Sequence, residues 1–568
     1  MKQKRMAVLF LVTCMLAGCN HNERVGTEET MTEPVAETND MSAQWKKAST
    51  TPFGRYPETV TYTLAKEVTE DNSRLPLGES YEDNAYTRLI REVINAQNQD
   101  VYENSGDSYY NGVYMMVASG EIADVMVVSE EVMYQMQDRG MLEDLTDVYA
   151  QCASEKIKEI YESYGGKIFG NCTFNGRLMA VPETNISNGP NLCWVRKDYL
   201  DTLGLDVPQT LADVEAVAAA FAEQNVGCTE AKPNIGLACN VGLTGDSGTA
   251  SEFTMDLEFA SFSAYPQQWI EEGDGTVRYG SIQPEARDTL FHLHELYENG
   301  VLDPDFLIRT QEDIADLIIE GRCGIFFAPW WAPNNPLWKC REVDANADWV
   351  PCLIDNTGVN ATRFGTQKMT GNYVVVRKGY EHPEIVFKII SVMFDYMRYA
   401  YDDPEGEFEL YYRQNVDPTA RPLSINVDYN QALNICYENL CSALDGEIPA
   451  SELELLERSY YQVCEQYLEN PQQATADSWS GYASRITACS LLSEGNVIQQ
   501  ACLFPRIPKD LMMEWYALED LEQEVYLKII RGEVGIEAFD DFVEQWQEKG
   551  GAKIEEKLEN IINEQNRE

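Results

Sequence analysis

Basic residues and histidines are scarce in this sequence, and their scarcity limits what the chain can bind. The 568 residues include 43 Lys and Arg against 94 Asp and Glu, so the formal net charge is −51. So acidic a surface repels nucleic acid and anionic lipid headgroups, and we expect neither as a partner. The acidic residues are spread along the chain, which indicates a solvated exterior.

Motifs for metal or serine-hydrolase chemistry are also missing. The four histidines are His21, His292, His294 and His382, and none belongs to a His-Glu-x-x-His pattern. His292 and His294 are two positions apart on a predicted helix, so they point to different faces. Residues 245–248 (GDSG) are similar to the nucleophile segment of chymotrypsin-like proteases, but only His21 precedes them, and such a protease needs an upstream histidine base. We therefore expect no metal site and no catalytic residue.

No Cys-x-x-Cys pair occurs among the 15 cysteines. Cys14 and Cys19 lie at the N-terminus, which leaves 13 cysteines, an odd number with irregular spacing. This pattern disfavours both a zinc framework and a complete set of disulfides. We expect mostly free, buried thiols, with one or two disulfides as the alternative.

The one long apolar run lies at the N-terminus. A basic start over residues 1–5 precedes apolar residues 6–15 and the sequence LAGC at residues 16–19. About ten apolar residues are too few to span a bilayer, and small residues before a cysteine are typical of a lipoprotein signal. We predict a signal peptide over residues 1–18 and a lipid on Cys19, with an ordinary signal peptide as the alternative. No later stretch approaches 18 apolar residues, so we expect no membrane span.

The segment after this leader has almost no large apolar residues to bury. Residues 20–51 are rich in Thr, Glu, Asn and Ala, and we predict a flexible, lipid-anchored tether over residues 19–55. A coil of some 30 residues has a root-mean-square reach of roughly 30 Å, which would hold a folded body clear of the headgroups.

The remaining chain is too long for one hydrophobic core, and its pattern alternates strands with helices. Residues 125–128 (VMVV) form an uninterrupted apolar run, which is typical of a strand buried on both faces of a parallel sheet. Residues 324–327 and 373–376 predict further buried strands, and residues 210–224 and 286–299 predict amphipathic helices. The pattern indicates an α/β protein with two lobes.

Seven short segments lie in a fixed order between residues 118 and 551, and the pattern to which they belong spans about residues 56 to 560. They are residues 118–125 (ASGEIADV), 140–146 (GMLEDLT), 175–182 (NGRLMAVP), 195–210, 296–304 (LYENGVLDP), 371–373 (GNY) and 529–551. Together they resemble the extracellular solute-binding proteins of carbohydrate ABC importers, the group that includes maltose-binding protein. The likeness is greatest to the large lipoprotein branch associated with oligosaccharides such as aldouronates. Residues 398–505 depart most from this pattern.

This resemblance implies an α/β, two-lobed periplasmic-binding-protein-like fold of type II. The ligand cleft would lie between the lobes, which hinge strands at residues 178–182 and 373–376 would join. The expected N-terminal lobe comprises residues 56–182 and about 372–420, and the C-terminal lobe comprises residues 183–371 and about 421–568.

The resemblance also implies a function without catalysis. Closure around a sugar, expected to be an oligosaccharide, would precede its delivery to the permease subunits of an ABC importer. We expect a monomer without cofactors, held by the lipid on Cys19 at the extracellular face of the membrane of a Gram-positive bacterium. The alternatives are a cell-surface glycoside hydrolase, which needs two carboxylates and an aromatic cleft, and a non-transport carbohydrate sensor or adhesin. A peptide ligand also stays open.

Aromatic rings that stack on the C–H face of a sugar are the first candidates for the ligand site. Trp330 and Trp331 follow a predicted buried strand, and the resemblance implies a stacking tryptophan in this segment. Further candidates are Trp194, Trp479 and Trp338. A place in the hydrophobic core is the alternative for each of them.

Polar side chains near the ends of predicted strands are the second set of candidates. Ser129 and Glu130 follow the strand at 125–128, Glu183 follows the first hinge strand, and Asn84 precedes the first helix. Ligands of open α/β sheets bind at the carboxyl ends of strands, so we expect these groups to reach sugar hydroxyls. With 94 acidic residues in the chain, a solvated surface position is the alternative for each carboxylate.

Overall fold

The structure, a computed structural model, describes residues 35–69, 74–186, 189–227, 233–245, 251–271 and 276–565. The predicted signal peptide, Cys19 and the first part of the predicted tether lie outside these ranges, as does most of the 245–248 segment. Strands and helices alternate along much of the chain, which confirms the predicted α/β class. Within the described ranges, no helix combines the length and the apolar character that crossing a membrane requires.

Fourteen strands lie within the described residues, and they form one five-stranded, one three-stranded and three two-stranded sheets. In chain order they are β1 Val60–Glu67, β2 Ala96–Asn104, β3 Val125–Ser129, β4 Thr173–Phe174, β5 Arg177–Leu178, β6 Val181–Pro182, β7 Leu192–Arg196, β8 Trp269–Glu271, β9 Val277–Tyr279, β10 Ile325–Ala328, β11 Trp349–Cys352, β12 Thr362–Gly365, β13 Asn372–Val376 and β14 Val497–Gln500.

The α-helices follow the same chain order, and some of them continue into wider turns at Val392–Ala400, Ala483–Ala488 and Gln547–Gly551. They are α1 Val35–Ser49, α2 Ala85–Ile94, α3 Gly106–Ser119, α4 Glu130–Asp138, α5 Thr146–Cys152, α6 Glu155–Glu162, α7 Lys197–Leu203, α8 Leu211–Gln224, α9 Asp256–Ser261, α10 Pro284–Glu298, α11 Gln311–Ile319, α12 Leu337–Val343, α13 Ile385–Ser391, α14 Glu407–Arg413, α15 Ala432–Leu444, α16 Leu455–Glu469, α17 Ala476–Tyr482, α18 Cys489–Glu494, α19 Met512–Ile530, α20 Ala538–Trp546 and α21 Ala552–Gln565.

The five-stranded sheet, in the order β2-β1-β3-β13-β6, forms the centre of the first lobe. β1 pairs in parallel with β2 and β3, whereas β13 runs antiparallel to β3 and β6. β3 is buried from Val125 to Val128, as its uninterrupted apolar sequence predicts. The carboxyl ends of β1, β3 and β6 therefore lie at one edge of the sheet, together with the start of β13.

The three-stranded sheet of the second lobe has the order β10-β7-β11, and both outer strands run antiparallel to β7. Side chains alternate along β7, so Cys193 and Val195 enter one hydrophobic cluster while Leu192 and Trp194 enter another. This sheet therefore carries an apolar layer on each face. Ala328 at the end of β10 pairs with Leu192, so the residues after β10 lie beside the start of β7.

Most of the buried apolar residues divide between these two lobes, and a separate small cluster lies among residues 436–463. The first core takes residues between 48 and 181 and between 373 and 427, with Leu455. The second takes residues between 192 and 354 and between 479 and 562. The chain thus passes between the cores three times, along crossing segments at about residues 182–191, 355–372 and 426–432.

Residues 398–505, which depart most from the family pattern, fold mainly as helices α14 to α18. Helix α16 packs on both α14 and α17, and Arg458 on α16 donates to Glu409 near α14 over 2.7 Å. Because α14 contributes to the first core and α17 to the second, this helical layer joins the two lobes beside the crossing segments.

The predicted tether over residues 19–55 is shorter than expected, because its last part is folded. Trp45 on α1 stacks on His382 with a ring-centroid distance of 5.4 Å. The buried ammonium of Lys388 donates to three backbone carbonyl oxygens between residues 48 and 54, at distances of 2.6 to 3.0 Å. Burial lowers the pKa of Lys388 to about 8. Composition could not reveal this anchor, because its acceptors are backbone groups that every sequence has.

Twelve of the thirteen cysteines after Cys19 lie in the described residues, and all twelve are unpaired. Eleven are buried, and Cys441 is partly exposed. Burial raises the pKa of thiols such as Cys193 and Cys352, which keeps them protonated and unreactive. In these twelve cysteines the structure has the free thiols that the sequence predicts.

We expect Lys388→Met to detach residues 41–54 from the first lobe, because three carbonyl oxygens lose their donor. The free energy of unfolding should fall by about 2–3 kcal/mol in urea titrations. Amide hydrogens of residues 41–54 should also exchange faster than in the unmodified protein. The exposed Lys378→Met is the matched control, and equal urea midpoints for the two variants would contradict the anchoring role.

Candidate functional site

The three crossing segments are joined to one another by backbone hydrogen bonds. The amide of Glu183 donates to Asn372 O at 2.9 Å, and the amide of Thr184 donates to Asn426 O at 2.8 Å. One residue later, the amide of Asn185 donates to Met369 O, also at 2.8 Å. This junction therefore fixes where both lobes begin.

The side chain of Glu183 lies within this junction. Its Oε1 accepts from the backbone amide of Asn426 at 3.1 Å, and its Oε2 accepts from Asn372 Nδ2 at 3.4 Å. Desolvation by the surrounding segments raises the pKa of Glu183 to about 7, although these donors act in the opposite direction. Glu183 is predicted to reach a sugar hydroxyl, whereas in the structure both of its carboxylate oxygens bind the crossing segments.

Ser129 and Glu130 lie at the carboxyl edge of the first sheet, as predicted from their place after β3. Ser129 caps α4, with its Oγ accepting from Val132 N at 3.4 Å. Glu130 Oε1 accepts from Asn171 Nδ2 at 2.5 Å, and Glu130 Oε2 pairs with Lys368 Nζ at 3.3 Å. Because Lys368 lies on the second crossing segment and both side chains keep about a fifth of their surface exposed, this polar network borders the space between the lobes.

Asn84 has a different place from the one predicted. It is fully buried and caps α2, with its Oδ1 accepting from Thr87 N at 3.2 Å. Its Nδ2 donates to Ala420 O at 3.0 Å. Both ends of the amide are therefore engaged inside the first lobe, and the polar sequence around Asn84 reflects a helix start.

The two neighbouring tryptophans after β10 differ in exposure. Trp330 is only 6% exposed and packs in the second core, with the Arg485 guanidinium carbon 4.5 Å from its ring centroid. Trp331 is partly exposed and packs against the same core. Since β10 ends beside the start of β7, both lie next to the first crossing segment. Trp331 is therefore the member of the pair with ring surface available to a ligand.

Trp194 and Trp479 are core residues of the second lobe. Trp194 is fully buried in β7, and its indole Nε1 donates to Pro329 O at 3.3 Å. Trp479 is 4% exposed, and the Arg341 guanidinium carbon lies 4.9 Å from its ring centroid. Both indole rings are enclosed by the second core, so the core alternative holds for both residues in this structure.

A contact between the lobes forms where Arg74 of the first lobe stacks on Trp338 of the second. The guanidinium carbon lies 3.3 Å from the ring centroid, and the indole N–H donates to Asp477. A stacked guanidinium over tryptophan is an attractive cation–π arrangement. No sequence pattern predicts this partner for Trp338, because Arg74 lies more than 260 residues earlier.

A second set of contacts joins α4 of the first lobe to the segment that leads into α19. The Tyr516 hydroxyl donates to the Glu131 carboxylate. Arg506 and Lys509 both pair with Asp138, at 3.5 and 3.1 Å. The lobes thus touch at two separate rims, the Arg74 rim and the Asp138 rim, and an arrangement with both rims in contact is here called closed.

The facing edges of the lobes therefore provide a carboxylate and an ammonium group at Glu130 and Lys368, and an accessible indole ring at Trp331. Such a combination of a flat aromatic surface with a few oriented polar groups suits a polar, ring-shaped solute. Among the described residues of these edges, the carboxylates already accept hydrogen bonds from neighbouring donors. These bonds hold the carboxylates in fixed orientations for ligand recognition.

Comparison with known proteins agrees with this geometry. Residues 94–396, more than half of the 568-residue chain, match the family described as bacterial extracellular solute-binding protein. The chain is 21% identical to Lipoprotein LipO of Bacillus subtilis over 472 residues, covering 80% of this chain and 84% of that protein.

Two further similarities concern proteins whose names mention polysaccharides. The polygalacturonan/rhamnogalacturonan-binding protein YtcQ of Bacillus subtilis is 26% identical over 156 residues, which cover 28% of this chain and only 29% of that relative. The crystal structure of alginate-binding protein AlgQ2 without calcium ion is similar with a TM-score of 0.59 at 12% identity, covering 89% of this chain and 98% of that chain. At this identity the likeness establishes the two-lobed fold.

The pH dependence of stability should report on Glu183. Its pKa is about 7 in the folded state, against an ordinary value of 4.5. The unfolded chain therefore releases this proton first as pH rises, so stability falls between about pH 4.5 and 7 and no further loss follows above that range. We expect Glu183→Gln to reduce the fall in the free energy of unfolding between pH 5 and pH 7.5 by roughly 1–3 kcal/mol. Urea unfolding at the two pH values measures this change. The exposed Glu121→Gln is a control, and parallel profiles for Glu183→Gln and the unmodified protein would refute the assignment.

The Arg74 rim should stabilise the closed arrangement. A cation–π contact contributes about 0.5–2 kcal/mol, so Trp338→Ala should shift the equilibrium several-fold toward a larger radius of gyration in small-angle X-ray scattering. Arg74→Ala should have a similar effect, and the double variant should add little to either. Fully additive shifts would show that the two side chains do not act on closure as a pair.

Proposed function

This chain belongs to the bacterial extracellular solute-binding protein family, and from that premise we propose that it captures an oligosaccharide and delivers it to an ABC importer permease. Capture occurs by closure of the two lobes over the solute. The solute stabilises the closed form only to the extent that it binds that form more tightly than the open one.

One observation carries this proposal. Three hydrogen-bonded crossing segments join two lobes whose facing edges present the Trp331 ring and the Glu130–Lys368 pair. The backbone junction supplies a hinge, and the two rims supply side-chain contacts that can open and close around it. An aromatic face with a few polar groups is what a pyranose ring needs for recognition.

An oligosaccharide is the solute class that the relatives favour. The names of two similar proteins mention polygalacturonan or rhamnogalacturonan and alginate, and the sequence resemblance points to the same class. A peptide is the competing ligand, and it has no flat C–H face to place on Trp331.

The cellular setting of the proposal rests on the leader sequence. We propose a lipid on Cys19, because the LAGC sequence at residues 16–19 is typical of a lipoprotein signal and a relative that covers most of the chain is described as a lipoprotein. We propose a monomer on the outer face of the cell membrane, next to its permease. The part of the tether before α1 then holds the lobes clear of the headgroups.

The lobe boundaries follow the crossing segments. We propose residues 56–182 with 372 to about 427 as the N-terminal lobe, because apolar residues of the first core continue to Val427. This end point lies a few residues beyond the 420 expected from the resemblance. The remaining residues, 183–371 and those after 427, form the C-terminal lobe together with the joining helices.

Binding without turnover distinguishes this function from the glycoside hydrolase alternative. The full chain, purified in detergent, is titrated calorimetrically with oligomers of galacturonate, of mannuronate and guluronate, and of neutral sugars. Saturable binding with no new reducing ends supports capture. Release of reducing ends would instead support a hydrolase, and binding of a peptide but no glycan would overturn the sugar assignment.

We expect Trp331→Ala to weaken binding of the best oligosaccharide at least tenfold, or about 1.4 kcal/mol. Loss of the stacking ring explains this effect. Trp45→Ala is the matched control, because Trp45 also packs only partly buried on its lobe and lies on α1. If the unmodified protein binds tightly and Trp331→Ala has the same Kd, the sugar does not stack on this ring.

A further inference from the structure

Three helices of the second lobe bring two carboxylates and an imidazole together outside the cleft edges. Glu215 lies on α8, Glu258 on α9 and His292 on α10. His292 Nε2 is 3.0 Å from Glu215 Oε1 and 3.6 Å from Glu258 Oε2. One ligand atom from each residue lies within 4.8 Å of the other two. None of these three residues takes part in the proposed solute capture.

Glu258 is the unusual member of the cluster. Its side chain is 0% exposed, and neither of its carboxylate oxygens has a hydrogen-bond partner. A buried carboxylate without a partner is costly, and it normally pairs with a cation or binds a metal ion. The carboxylate is directed at the same point as Glu215 and His292, so its partner must be found there.

The protein supplies no full counter-charge for this carboxylate. Within the described ranges, neither Glu215 nor Glu258 pairs with a lysine or an arginine. His292 can donate a single proton from Nε2, and Glu215 is the nearer acceptor. The hydrogen bond to Glu215 and the nearby carboxylate of Glu258 raise the pKa of His292 to about 10. An imidazolium shared between the two carboxylates is thus the alternative to a bound metal.

We propose that Glu215, Glu258 and His292 bind a zinc ion in the second lobe. Zinc forms bonds of roughly 2.0–2.2 Å to imidazole nitrogen and carboxylate oxygen, which places the ligand atoms of a tetrahedral site about 3.4 Å apart. The observed separations of 3.0 and 3.6 Å from Nε2 lie on either side of that value. Two carboxylates neutralise the dication, and the imidazole binds it in its neutral form.

The exposure of the ligands leaves a path for the ion. The side chains of Glu215 and His292 are each 24% exposed, whereas Glu258 lies beneath them. A fourth position on the solvent side would be filled by water. The ring of Phe262 lies 5.5 Å from the His292 ring and covers one flank.

The role of the ion would be structural. It would tie α8, α9 and α10 together, and these helices are separated by up to 77 residues at the ligand positions. The neighbouring Leu257 O accepts from Asn356 Nδ2 at 3.1 Å, and Asn356 lies on the second crossing segment. Zinc would therefore stabilise the part of the second lobe on which this crossing segment rests.

The test uses the full chain in detergent, freed of metal with a chelator and then titrated with zinc chloride. We expect one equivalent to bind and the melting temperature to rise by several degrees, because the ion binds only the folded state. Calcium and magnesium at the same concentration should have little effect. Cobalt should give a visible spectrum that lacks the sulfur charge-transfer band of a thiolate site. The absence of that band would exclude the cysteines as ligands.

Matched variants decide between the zinc site and the shared imidazolium. Glu258→Gln should lower zinc affinity at least tenfold, while the metal-free variant keeps or exceeds the stability of the metal-free unmodified protein. His292→Ala should also lose the site. His294→Ala is the control on the same helix, because His294 Nδ1 bonds Ile530 O instead. Zinc binding that Glu258→Gln leaves unchanged, or the absence of any zinc-dependent rise in melting temperature, would overturn the proposal.

Discussion

The junction of the three crossing segments is the constraint on which the rest of the structure depends. Each lobe is assembled from separate stretches of chain, so neither lobe can form around its sheet unless these segments meet correctly. Backbone hydrogen bonds from Glu183, Thr184 and Asn185 hold the segments together, and the Glu183 carboxylate adds two acceptors among them. Because most of these bonds involve the backbone, the junction depends on chain geometry more than on side-chain identity.

The contacts at the two rims are of another kind. Arg74 and Trp338 meet through side chains, as do Asp138 and its two basic partners. Partly exposed ion pairs each contribute about 0–1 kcal/mol, and a cation–π contact contributes little more. A strong junction with weak rims is the energetic pattern that a hinge requires, since a solute of ordinary affinity can then decide whether the lobes close.

Two buried carboxylates show how the same residue type acquires different roles. Glu183 is satisfied by an amide and a backbone N–H, and burial favours its protonated form. Glu258 is enclosed with no hydrogen-bond donor, beside an imidazole and a second carboxylate. In a chain with 94 acidic residues, composition cannot separate these two from the solvated majority, because the difference lies entirely in the neighbours.

The sequence by itself determined the α/β class, the buried strands such as β3 and the division into two lobes. These features depend on local composition and periodicity, which a single chain displays directly. Only the tertiary structure decided that Trp194 and Trp479 are core residues, that Asn84 caps a helix, and that residues before 55 pack on the first lobe. It alone brought Arg74 to Trp338 and Glu258 to His292. Such pairs depend on strand pleat, register and helix packing between distant segments, and no local pattern records which side chains will meet.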